Sequence, residues 1–386
     1  MKIVVDNKIP YIRGVFEPVA RVCYCSGAEI TPGLVKDADA LVIRTRTKCD
    51  KALLHGSAVR FIATASIGHD HIDKSYCQSH SILWQNAPGC NANSVQQYVA
   101  AALVKLAKTM NFLLSQKTLG VIGVGHTGSK VARMAERLGM RVLLNDPPRE
   151  RIEGNRQFVS LAEIQKRADI ISLHVPLSQT GIDKTYGLIN TDFIARCQKK
   201  IGLINTSRGP VLDSNAIQHA LRRNHFSAAV LDVWENEPHI DRRLMDLCLI
   251  ATPHIAGYAY DGKLAGTRAS VRGVSRFFHL GLDAWEGQPL PEPPGIMISL
   301  GVPNGTEEHV LYQAIEATYD IMEDDTRLRK SPETFEEQRE NYPSRREIAA
   351  FSIRIPHAEL SLKRRFEQLG FTVHSIKECS PPPLKD

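Results

Sequence analysis

Along the first ninety residues, short apolar runs alternate with polar, turn-rich segments. Ile3–Asp6, Ala40–Ile43 and Val59–Thr64 read as strands, with helical stretches between them. Apolar runs of this length, separated by helix-length segments, predict a parallel sheet flanked by helices. From Ala92 to Ser115 the period changes. Val95, Val99, Leu103, Leu106 and Met110 recur at helical spacing, so a long helix is expected to lead out of the first domain. After Lys117 the alternation becomes regular. Strands are expected at Leu119–Ile122, Arg141–Asn145, Ile170–His174, Ile201–Asn205, Ala229–Asp232 and Leu249–Ala251, with a helix over Thr127–Leu138. That pattern is a doubly wound α/β domain. A second long helix is expected over Tyr260–Leu282. The stretch Gln288–Pro294 then packs several prolines into seven residues, which suits neither a helix nor a sheet interior and marks a domain boundary.

The last ninety residues differ in character. Thr306 can cap a helix with Val310, Leu311, Ala314, Ile315, Ile321 and Met322 on one face. A strand (Ala349–Ile355), a helix (His357–Leu369) and a strand (Phe371–Ile376) are expected to follow, making a small α+β module with no catalytic constellation of its own.

Composition narrows the class. The chain has 386 residues, 43% hydrophobic and 23% charged, enough for two or three domains with proper cores. No apolar run approaches the roughly 20 residues needed to span a bilayer, and Lys2-Ile-Val-Val-Asp6 meets an acid too early for a signal-peptide core. The eight cysteines are scattered and match neither a zinc site nor a redox pair, so a reduced, cytoplasmic protein without metal is expected. The net charge of +6 suits an anionic small molecule as well as nucleic acid. Without a basic tract interleaved with aromatics, no nucleic-acid or membrane partner is expected.

The strongest local signal is Gly123-Val-Gly125-His126-Thr127-Gly128, between a strand and a helix, with Asp146 closing the next strand. Glycines here allow a tight turn, close backbone approach to a pyrophosphate and close helix–strand packing, while the acid meets the adenosine ribose. Asp146 would repel a 2′-phosphate and so favours NAD over NADP. Three later strand ends carry Arg208, Glu237 and His254. A neutral imidazole can take an alcohol proton, a carboxylate can fix its tautomer, and a guanidinium can grip a carboxylate. Each alone could be a salt bridge or a satisfied loop residue. The series of three after a dinucleotide motif favours chemistry.

The stretches Gly120–Gly128, Gly202–Asp213, Val230–Pro238 and Thr252–Tyr258 resemble the D-isomer-specific 2-hydroxyacid dehydrogenase family. Val5–Tyr11, Ala87–Ala92 and Asn145–Arg149, together with the C-terminal module, point within it to a branch of vitamin B6 biosynthesis whose substrate is a phosphorylated hydroxy acid. The resemblance implies a Rossmann-type NAD-binding domain (93–259), a flavodoxin-like substrate domain (1–92 and 260–285) and a C-terminal α+β dimerisation domain (286–386). By resemblance, Arg208, Glu237 and His254 are catalytic. NAD contacts fall on Gly123, Gly125, His126, Thr127, Gly128, Asp146, Val175, Thr206, Ser207, Arg208, Asp232 and Gly257, and substrate contacts on Thr45, Ser66 and Tyr258. Ser66 and Val175 stand where such relatives commonly carry Thr. The hydroxyl survives at Ser66, but Val175 leaves only backbone or apolar contact.

Arg44 and Arg46, beside Thr45, are the candidates for the substrate phosphate. Arg345 and Arg346 form another basic pair, a candidate for reaching a neighbouring copy's site. Domain closure would hinge near Asn91–Ser94 and Tyr258–Gly262. The competing readings are a sibling enzyme acting on phosphoglycerate or glycerate, and an NAD-sensing regulatory binding protein.

Overall fold

Strands β1 (Lys2–Asp6), β2 (Arg21–Cys25), β3 (Ala40–Ile43), β4 (Phe61–Thr64) and β5 (Leu83–Gln85) form a parallel sheet in the order β2-β1-β3-β4-β5. Helices cover both faces, so β3 and β4 are buried along their whole length and β3 reads as an unbroken apolar run rather than an alternating one. This computed structural model describes residues 1–154, 157–300, 306–355 and 359–374.

The helix Ala92–Thr109 carries the chain into a second parallel sheet of β6 (Thr118–Ile122), β7 (Arg141–Asn145), β8 (Ile170–Leu173), β9 (Ile201–Asn205), β10 (Phe226–Leu231) and β11 (Ile250–Ala251). The order is β11-β10-β9-β8-β6-β7, and a parallel bridge from Leu144 to Phe158 continues it beyond β7. Strand order reverses between β6 and β8, the position at which open α/β sheets bind dinucleotides.

The helix Tyr260–Phe278 then returns to the first sheet, where Val271 and Val274 share a core with Ile3, Val5 and Phe61. The two crossing segments pack directly on each other. A Cβ on Gly262 would lie 2.7 Å from Ser94 Oγ and 2.9 Å from Asn91 Cβ. A third, parallel sheet of β12 (Met297–Ser299), β13 (Ser352–Arg354) and β14 (Thr372–His374) closes the chain.

Several expected elements change at their ends. The first long helix stops at Thr109 because Asn111 turns left-handed (φ 51°), and a 3₁₀ turn, Leu114–Gln116, follows. The second stops at Phe278 against a left-handed His279. The single helix expected from Thr306 to Met322 is two, Glu307–Thr318 and Ile321–Lys330. Tyr319 is extended, and Asp320 caps the second by accepting the Met322 N–H. β2, β5 and β12 carry no periodic pattern that predicts them. The expected helix start at His357 and strand end at Ile376 lie outside the described residues. No helix among the described residues is long and apolar enough to cross a membrane, and they contain no metal-binding cluster of His, Cys, Asp or Glu.

Candidate active site

The carboxyl ends of the second sheet's strands converge on one edge. After β6 the chain makes the glycine turn. Gly123 has φ 86°, and a Cβ there would lie 2.7 Å from the His174 backbone and 2.8 Å from Val175 Cγ1. A Cβ on Gly128 would fall 1.9 Å from the Gly123 carbonyl, so only glycine lets the helix His126–Arg137 sit this close to β6. Gly125, at the N-cap, supplies no side-chain cap, leaving the helix's first N–H groups for an anion. Gly125 and His126 are exposed at this tip, and Thr127 is half-buried. Asp146 ends β7 beside the turn, accepting the Val124 N–H at 2.8 Å and the Arg149 N–H at 3.1 Å. A glycine cradle that any side chain would fill, an uncapped helix N-terminus and an acid across the turn fit a dinucleotide.

The loops after β8 and β9 are tied together. Burial pushes His174 down to about 3, and the neutral ring bridges Ser172 Oγ (2.8 Å) and Thr206 Oγ1 (3.3 Å). Asn205 accepts the Ser207 N–H (3.0 Å) and hydroxyl (2.7 Å) and donates to the Arg208 carbonyl (3.0 Å), which fixes the turn that presents Arg208. Gly209 is required because a Cβ would lie 1.9 Å from the Trp234 carbonyl. The Arg208 guanidinium reaches across to the first sheet's loops. It lies over Gly68 and donates from Nε (3.0 Å) and Nη2 (2.9 Å) to Asp70 Oδ2.

Asp232, at the end of β10, organises the histidine turn. Its buried carboxylate accepts from Thr252 Oγ1 (2.7 Å), Ile255 N–H (2.7 Å) and Ala256 N–H (2.9 Å). Burial raises its pKa against the pull of His254 and these donors. His254 is left-handed (φ 56°), a conformation costly for a residue with a Cβ. Its Nδ1 stands 2.7 Å from Glu237 Oε2, while Glu237 Oε1 accepts the Trp234 N–H at 2.9 Å. Burial pushes the Glu237 carboxyl up, but His254 and Trp234 outweigh it and hold the group below the usual carboxylate range. The second imidazole nitrogen is left to act as an acceptor.

Arg208, Glu237 and His254, from three strand ends, therefore lie along one sheet edge with the glycine turn. The substrate candidates come from loops of both sheets. Thr45 is exposed after β3, Ser66 bonds Thr64 and, beneath the Arg208 guanidinium, the Gly68 carbonyl after β4, and Tyr258 follows the histidine turn. Gly257 abuts Asn91, whose Nδ2 lies 2.1 Å from where a Cβ would be. Arg44 is paired with the buried Asp6 through Nε at 2.9 Å, and Arg46 with Glu336 and, at 3.7 Å, Glu340 of the C-terminal module.

Arg345 and Arg346 are engaged within this chain. Arg346 pairs with Asp261 at 3.0 Å. Arg345 is buried and donates to the Ile255 and Ala256 carbonyls of the histidine turn, at 3.3 and 2.5 Å. Sequence reasoning missed Asp70 and this role of Arg345. An acid shortly after the end of β4 is the signal that could have found Asp70. Nothing local marks Arg345.

Residues 91–256 match the family model described as D-isomer specific 2-hydroxyacid dehydrogenase, NAD binding domain, and residues 290–370 match a domain of unknown function. The erythronate-4-phosphate dehydrogenase of Bacteroides fragilis is 48% identical over 354 residues, covering 92% of this chain and 99% of that protein. That of Pseudomonas fluorescens is 38% identical over 378 residues, covering 96% and 99%. Among solved structures, D-lactate dehydrogenase from Aquifex aeolicus complexed with NAD and lactic acid aligns with a TM-score of 0.61. It is 27% identical, covering 74% of this chain and 97% of that one. NAD-bound 3-phosphoglycerate dehydrogenase from Entamoeba histolytica aligns with a TM-score of 0.63 at 25% identity, covering 75% and 99%.

Proposed function

Since the chain belongs to the erythronate-4-phosphate dehydrogenases, a branch of the D-isomer-specific 2-hydroxyacid dehydrogenases, we propose that it oxidises 4-phospho-D-erythronate to 3-hydroxy-2-oxo-4-phosphooxybutanoate in vitamin B6 biosynthesis. The observation that carries the chemistry is the 2.7 Å contact of His254 Nδ1 with Glu237, one strand end from Arg208.

His254, held by Glu237 with Nδ1–H as donor, takes the substrate hydroxyl proton at its other nitrogen. Glu237 stabilises the imidazolium that results. Arg208 binds the substrate carboxylate and polarises the reacting carbon, and Thr45, Ser66 and Tyr258 contribute to holding the rest. Bound NAD supplies the hydride acceptor. Its pyrophosphate would lie on the glycine turn, at Gly123, Gly125, Gly128 and the N–H groups of His126 and Thr127. Asp146 would face its ribose, and Val175, Thr206–Arg208, Asp232 and Gly257 would line the remainder.

Homodimerisation through residues 286–386 belongs to the same reading. The exposed Ile296 and Leu360 on that module support it, and light scattering would test it. A cytoplasmic location accords with cysteines that are free throughout the described residues.

The test is turnover by the purified protein with 4-phosphoerythronate against 3-phosphoglycerate under NAD and NADP, read as NADH formation and, in a parallel assay with a 2-oxo acid added to reoxidise retained cofactor, as formation of the oxidised product. The reading requires kcat/KM to be highest for phosphoerythronate with NAD. Turnover of phosphoglycerate alone would overturn the substrate. Tight NAD binding with no turnover would favour a regulatory role.

A further inference from the structure

A substrate with a carboxylate at one end and a phosphate at the other needs a second cationic grip, because Arg208 serves the first. The two arginines singled out beside Thr45 already face carboxylates, Arg46 on Glu336 and Glu340, Arg44 on Asp6. A different cation lies beside Tyr258.

Lys263, on the first turn of the helix Tyr260–Phe278, is half-buried. Its ammonium stands over the rings of Tyr258 (4.8 Å), Tyr260 (5.7 Å) and Tyr342 (5.8 Å). Among the described residues no carboxylate pairs with it and no acceptor takes its protons. Nearby acids are already engaged: Asp261 by Arg346, and Asp324 by Tyr319, Tyr342 and Arg327.

Further positive charge converges on the same place. Arg339 lies 5.7 Å from the Tyr258 ring, with Nη1 on Glu336 and a buried Nε that has no partner. Arg44 uses Nε and Nη2 on Asp6, leaving Nη1 unbonded. Burial first, then repulsion from Arg345 and Arg44, lowers Lys263 to about 8. Aromatic faces stabilise a desolvated cation only modestly. A half-buried ammonium held among like charges is a site completed by an anion.

We propose that Lys263, flanked by Arg44 and Arg339, receives the phosphate of the phosphorylated hydroxy acid, an inference that rests on the dehydrogenase reading above. Tyr258 separates this subsite from His254 by one short segment of chain. The carboxylate is then gripped from the second sheet, and the phosphate from the helix that returns to the first. Arg339 brings the C-terminal module into substrate selection, and Arg46 serves to fasten that module to the β3 loop.

The experiment compares wild type with Lys263→Met and Lys263→Arg, using 4-phosphoerythronate, unphosphorylated erythronate, and inorganic phosphate as a competitive inhibitor. NAD affinity by fluorescence serves as the check on folding. Losing a charge-assisted contact to a phosphate should raise KM for 4-phosphoerythronate roughly 10–100-fold in Lys263→Met. Inhibition by inorganic phosphate should weaken by a similar factor, and Lys263→Arg should recover most of both. The preference for the phosphorylated over the unphosphorylated acid should fall with them. A KM within twofold of wild type, or an equal loss for both acids, would overturn the inference and leave the dehydrogenase reading standing. A wild-type protein that turns over neither acid would overturn the dehydrogenase reading, and this inference with it.

Discussion

Glu237 has two oxygens and two donors to satisfy: Oε1 takes the Trp234 N–H and Oε2 takes His254 Nδ1–H. Glu237→Gln keeps the shape but offers a single acceptor. If the amide oxygen stays with His254, a charge-assisted bond of about 1.5–3 kcal/mol becomes a neutral one of about 0.5–1.5 kcal/mol. The difference falls largely on the transition state, where the imidazolium forms. The barrier should rise by about 1–2.5 kcal/mol, or roughly 5- to 70-fold in kcat, while the Trp234 N–H left unpaired costs folding stability rather than rate. If the amide turns its NH2 to His254, the proton moves to the other ring nitrogen and the base is lost, which lies at the severe end of that range.

KM for 4-phosphoerythronate should change less than about threefold, because the lost interaction forms with proton transfer rather than with binding. Stopped-flow NADH formation separates the two. The folded chain favours ionised Glu237, so its stabilising contribution is present above about pH 4.5 and lost as pH falls through the lower folded value. The variant should lack that acid-side loss in thermal melts. A kcat within threefold of wild type, or a defect confined to KM, would refute the assignment.

Other expectations follow from single contacts. Gly128→Ala places a Cβ 1.9 Å from the Gly123 carbonyl; it should cost about 1–3 kcal/mol or more in urea unfolding and abolish tight NAD binding by calorimetry. Asp70→Asn frees Arg208 from a half-exposed pair, so stability should move by no more than about 1 kcal/mol. KM should fall severalfold as substrate no longer competes with Asp70, and a raised KM would instead make Asp70 a positioning residue. Glu347 is buried against Ser94 at 2.6 Å, and burial raises its pKa. Ionising it therefore costs stability, a penalty absent well below about pH 4.5 and growing as pH rises through the folded value. Glu347→Gln should raise Tm at pH 8 relative to wild type and not at pH 4.

The glycine turn, Asp146 and the strand-end Arg, Glu and His were legible because each is fixed by short-range rules: a tight turn, a close approach, a residue at the carboxyl edge of a strand. The two parallel sheets were legible from apolar runs for the same reason. What escaped depends on contacts distant in sequence. β5 and β12 span only three residues each, too few for a period to emerge. The break at Tyr319 is set by that residue's buried seat against Asp324 and Arg345, not by its neighbours. Lys263 sits in an ordinary amphipathic helix and acquires meaning only when Tyr342, Arg339 and Arg44 arrive from elsewhere in the chain.

Arg345 has a consequence for where this enzyme ends as a working unit. The solved relatives align with about three quarters of the chain and are themselves almost fully covered, which invites treating the last hundred residues as an accessory. Yet Arg345 holds the two carbonyls that follow His254, and its own carbonyl receives the Tyr260 N–H. A shortened chain would keep every catalytic side chain and lose the brace that fixes where one of them points. Transplanting the module onto a sibling dehydrogenase would carry no benefit unless the histidine turn were moved with it. The two have to be inherited together.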